Sequence, residues 1–60
     1  MTKKQREAIE NQIKKRGFAK IGEYEIIRYD GGYTYSLRNT ETGNTVTVEN
    51  RLSDIFDLFE

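Results

Sequence analysis

The stretch EYEIIRYDGGYTYSLRNT, residues 23–40, decides the fold. Asp30-Gly31-Gly32-Tyr33 lies at its centre, and a Gly-Gly pair readily supplies the positive φ angles of a two-residue hairpin turn. With Gly31 and Gly32 as the loop, Arg28 falls opposite Tyr35, Ile26 opposite Leu37, and Tyr24 opposite Asn39. Residues opposite one another in antiparallel strands share a side of the sheet, so Tyr24, Ile26, Tyr35 and Leu37 collect on one side. A slip of one residue would scatter this apolar set, so the alternation itself specifies the register.

Downstream, Glu41-Thr42-Gly43-Asn44 reads as a second turn and residues 45–49 as a third strand. A symmetrical turn places Leu37 opposite Val48 and Asn39 opposite Val46, adding both valines to the apolar side. The reverse side then carries Glu25, Ile27, Tyr29, Thr34, Ser36, Arg38, Thr47 and Glu49. Upstream, Gly22 interrupts the run between Phe18 and Tyr24 and reads as a bend or bulge.

A helix is expected on each flank. Thr2 and Gln5 have the spacing of a capping box, and residues up to Arg16 are adequate helix formers. Gly17 suits the left-handed residue that ends such a helix, with Phe18 folding back onto Ile13. Lys14, Lys15 and Arg16 lie where the helix dipole favours cations. Ala8, Ile9 and Ile13 share one face, while Lys3/Glu7, Arg6/Glu10 and Glu10/Lys14 are spaced to compensate charge on the other. Residues 50–60 read as a second helix capped by Asn50, with Leu52, Ile55, Phe56 and Phe59 on its buried stripe and Asp54, Asp57 and Glu60 at the outer edge. The expected fold is one α+β domain spanning residues 1–60. It is a two-layer α-β-β-β-α arrangement, a three-stranded antiparallel meander with two helices packed on one face.

Composition limits the chemistry. Of 60 residues, ten are basic and ten acidic, giving a formal net charge of zero. No run approaches the ~20 apolar residues of a membrane span, and no apolar segment follows the basic start as in a secretory signal, so no membrane association is expected. The chain has no Cys and no His. Disulfides, thiolate or imidazole metal sites, and Ser/His/Asp or Cys/His nucleophile systems are thereby excluded. A reducing cytoplasm is the simplest compartment. A carboxylate pair remains conceivable, but so short a chain can hardly enclose a pocket of roughly 300–1,000 Å³. The expectation is a protein that is not an enzyme and carries no cofactor or metal.

Binding surfaces remain. Ile27, Tyr29, Arg38 and Thr47 are candidate contacts on the reverse side, since an aromatic beside an Arg is a common interface anchor. Asp54 and Asp57 could imitate a nucleic-acid backbone toward a basic partner. Lys3, Lys4, Lys14 and Lys15 make the first helix basic and offer a phosphate-tracking face. The leading expectation is a small protein-binding module, an accessory or inhibitor of bacterial or phage type that occupies a surface of a larger partner. The alternative is a nucleic-acid-binding domain using the basic helix and the open sheet face; strand edges also leave room for a homodimer.

The element order resembles that of double-stranded-RNA-binding domains and of HicA-type toxins. The lysine cluster that opens the last helix of the former is reduced here to Arg51, followed by Asp54 and Asp57, and the sheet histidine of the latter is absent. The resemblance stops at element order and carries no activity with it.

Overall fold

The computed structural model describes residues 1–60 as α1 (Lys3–Arg16), β1 (Phe18–Ile21), β2 (Tyr24–Tyr29), β3 (Thr34–Asn39), β4 (Thr45–Glu49) and α2 (Leu52–Phe56). Short 3-10 turns cover Asp30–Gly32 and Asp57–Phe59. The strands form one antiparallel sheet in the order β1-β2-β3-β4, so the chain is α+β with four strands rather than three. The extra strand also removes the likeness in element order to RNA-binding domains and HicA-type toxins. No helix is long and apolar enough to cross a membrane.

Helix α1 begins and ends as its sequence dictates. The Gln5 N–H donates to Thr2 Oγ1 at 3.2 Å, and the Thr2 N–H donates to Gln5 Oε1 at 2.8 Å, completing the capping box. Gly17 takes φ 83° and donates its N–H to the Ile13 carbonyl at 2.8 Å. Phe18, however, does not make the expected turn back onto the helix. The Gly17 carbonyl accepts from the Arg28 N–H at 2.8 Å, and Phe18 then pairs with Ile27. The backbone ladder therefore captures Phe18 for β1 and turns it away from Ile13. Gly22 is a tight turn rather than a bend within a strand: its φ of 57° lets Ile21 and Tyr24 pair across only two residues.

The β2–β3 register is the expected one, with Tyr24, Ile26 and Arg28 opposite Asn39, Leu37 and Tyr35. The β3–β4 register is not. Leu37 faces Thr47 and Ser36 faces Val48, while Arg38 faces Thr45, so Val46 is the extra residue of a bulge. The cause lies in the loop. Asn39 Oδ1 accepts from the Glu41 and Thr42 N–H groups at 2.9 and 3.2 Å, and the Asn39 carbonyl accepts from Gly43 at 2.8 Å. The Asn39 N–H reaches the Asn44 carbonyl at 2.9 Å. This closure brings Asn44 beside Asn39, where a symmetrical turn would place Val46, two positions later, and the one-residue bulge absorbs only half of that offset. Thr47 and Glu49 are thereby moved to the side of Leu37, and Val48 to the opposite side.

The core is one cluster in which Ala19, Ile26 and Leu37, consecutive across β1, β2 and β3, meet Ile9 and Ile13 of α1 and Ile55 and Phe56 of α2. Tyr24, Tyr35, Leu52 and Phe59 are partly buried against it, and Tyr24 meets Phe59 edge to face at 5.8 Å. The expected core members Phe18, Val46 and Val48 are exposed. Ala19 replaces Phe18, its small side chain lying where α1 packs on β1. Helix α2 is shorter than expected. Arg51, not Asn50, holds the N-cap position without a side-chain bond, and the helix tightens into the 3-10 turn after Phe56.

Candidate interaction surface

Strand pairing fixes which side chains share the side of the sheet away from the core. Phe18, Ile27, Ser36 and Val48 are successive cross-strand partners and form one row over all four strands. A second row on the same side joins Lys20, Glu25, Arg38 and Thr45, and a third holds Tyr29 and Thr34. The buried residues of α1 and α2 cluster with Ala19, Ile26 and Leu37, whereas Phe18, Tyr29 and Val48 of these rows are exposed.

The first row is predominantly apolar and partly open to water. Phe18 is 42% exposed, Val48 57%, and neighbouring Tyr29 48%, while Ile27 is half-buried. Ser36, only 7% exposed, is the one small residue of the row and lies between Ile27 and Val48. In the second row Arg38 donates to Glu25 Oε1 at 2.9 Å across the strand pair. That bond holds an anion and a cation in fixed positions beside the apolar row, whatever its small net contribution to stability. The surface therefore offers apolar area, an aromatic ring, and ordered opposite charges, the ingredients of a protein interface.

Ile27, Tyr29 and Arg38 come together on this side as expected. Thr47 does not: the bulge places it opposite Leu37, half-buried on the core side, where it donates to Glu49 Oε2 at 3.3 Å. Asp54 and Asp57 lie exposed on the α2 segment, away from the sheet surface. Arg6 lies 3.9 Å from the exposed Asp57 carboxylate, forms an ion pair with Glu60, and stands 5.3 Å above the Phe56 ring. The expected Arg6/Glu10 pair thus gives way to one that ties α1 to the C-terminal segment. Lys3, Lys4, Lys14 and Lys15 are exposed on α1 and engage in no ion pair.

Sequence reasoning missed Phe18 and Val48. Alternation in Phe18-Ala19-Lys20-Ile21 before a glycine is a strand signal that could have exposed the first. The second follows only from the bulge, which local alternation does not announce.

Two open apolar grooves flank Phe59 on the other side. One, of about 430 Å³, lies against Met1, Ile9 and Ile21; the other, of about 340 Å³, against Tyr24, Leu37 and Val46. No group of three or more acidic side chains is placed to hold a metal ion. No protein-family model matches this chain, and no curated protein or solved structure matches it significantly.

Proposed function

We propose that the protein is a small non-enzymatic binding module whose sheet face, the side bearing Phe18, Ile27, Tyr29, Val48 and Arg38, occupies a surface of a protein partner. The observation that carries this reading is the apolar row through Phe18, Ile27 and Val48, left without a covering layer in a chain with few large apolar residues to spare. Lack of Cys and His supports a role that needs no nucleophile, imidazole base or transition metal. An accessory or inhibitor protein of bacterial or phage type, working in a reducing cytoplasm, accords with this size and composition.

Affinity capture from the source cell tests the reading. A Tyr29→Ala/Arg38→Ala variant should lose the protein retained by wild type while keeping its circular dichroism spectrum. Equal retention by both forms would refute a role for this face.

The unpaired lysines of α1 support a second reading, attachment to nucleic acid through Lys3, Lys4, Lys14 and Lys15. A phosphate-driven complex weakens steeply between about 50 and 200 mM salt, so gel shifts at both concentrations test it. No shift at the lower salt eliminates it.

A further inference from the structure

We infer that the occupant of the exposed sheet face is a second copy of this chain, stacked face to face about a two-fold axis parallel to the strands. The inference rests on the reading of that face as a protein-binding surface and names its partner. Its basis is a self-complementarity in the strand order. An axis of this kind, lying midway between two sheets, sets β2 over the partner's β3 and β1 over the partner's β4, and keeps every cross-strand row facing its own counterpart.

Applied to the observed rows, the operation brings unlike groups together at each position. In the charged row, Glu25 faces the partner's Arg38 and Arg38 faces the partner's Glu25, so each intrachain pair joins its symmetry mate in a four-membered network of alternating sign. In the apolar row, Ile27 stands over the small side chain of the partner's Ser36, and Phe18 over the partner's Val48. In the third row, Tyr29 stands over the partner's Thr34. In the apolar row and the row of Tyr29 the larger side chains, Phe18, Ile27 and Tyr29, lie on β1 and β2 and the smaller, Val48, Ser36 and Thr34, on β4 and β3, so larger meets smaller in both. An axis perpendicular to the strands would instead bring the charged row over the row of Tyr29 and Thr34, leaving Glu25 and Arg38 without opposite charges across the interface.

The extent of the face sets the strength. Four strands about 4.8 Å apart and five residues at about 3.3 Å each give a footprint of roughly 300 Å² per copy. Standard interfaces bury about 800 Å² per partner, so this pair is a weak, reversible dimer rather than an obligate one.

Sedimentation velocity from about 10 μM to 1 mM tests the proposal by following the rise from the 7.1 kDa monomer toward twice that mass. Ile27→Asp should weaken the dimer at least ~10-fold. Val48→Lys, at an exposed position that tolerates a charge in the fold, should do the same. Glu25→Arg and Arg38→Glu should each abolish self-association, because each sets like charges against like across the interface. An equimolar mixture of those two variants should restore it as a heterodimer.

A wild-type protein that stays monomeric at 1 mM would overturn the inference and leave the broader binding reading to its own capture test. A dimer indifferent to both Ile27→Asp and Val48→Lys would overturn the face-to-face arrangement in favour of pairing through a strand edge. Failure of the mixture to associate would overturn the two-fold relation itself.

Discussion

The row of Ala19, Ile26 and Leu37 and the row of Phe18, Ile27 and Val48 cross the same sheet one residue apart, and both are apolar. The first is sealed, with Ile26 at 0% exposure, and it joins both helices into one core. In the second, Phe18 and Val48 retain about half their surface in water. Adjacent residues of a strand point to opposite sides, so one backbone carries both rows. The inner row supplies the hydrophobic free energy of folding. The outer row adds little to it and represents apolar surface available for association.

Substitutions should separate the two rows by the size of their effects. Ile26→Ala removes a sealed side chain at a cost of about 3–4 kcal/mol, comparable with the roughly 3–5 kcal/mol that a domain this small commands. It should leave the chain largely unfolded in circular dichroism at 25 °C. Gly17→Ala forces a φ of 83° on a residue with a Cβ, and should cost about 1–2 kcal/mol, read as a lower urea midpoint. Its strain falls where α1 hands over to β1, before either row begins.

Arg6→Ala should cost about 1 kcal/mol, the combined worth of a cation–π contact and a part-exposed ion pair. The ionic portion should shrink in 1 M salt, so the wild-type and variant midpoints should converge. Val48→Thr should change stability by no more than about 0.5 kcal/mol, as expected at an exposed site. A cost above about 1.5 kcal/mol would mean that Val48 faces Leu37 after all and would undo the bulged register.

The two hairpins explain which parts of the fold were legible in the sequence. Between β2 and β3 the turn is short and glycine-rich, and Tyr24, Ile26, Tyr35 and Leu37 recur at every second position on either side of it, so the pairing of Ile26 with Leu37 follows from local pattern. The turn conformation differs in detail, since Asp30 takes φ 54° within a 3-10 turn, but the register is unchanged. Between β3 and β4 the register depends on how the Asn39 side chain ties down its loop, a three-dimensional closure invisible to alternation. Thr47 and Val48 therefore exchange sides. Strand β1 is hard to see in the sequence because four residues before a glycine resemble an interruption, and only the bond from Arg28 to the Gly17 carbonyl shows the ladder starting there. Of the surface itself, Ile27, Tyr29 and Arg38 belong to the hairpin that could be read, and Phe18 and Val48 to strands whose pairing could not.

The central claim is that the outer row serves association and not folding. Its most direct measurement is a paired determination on the Phe18→Ser/Val48→Ser double variant: urea unfolding, and self-association by sedimentation with partner capture alongside. The account predicts unfolding free energy within about 1 kcal/mol of wild type, as for exposed sites, together with loss of association. Undiminished association, or destabilisation as deep as that of Ile26→Ala, would contradict it.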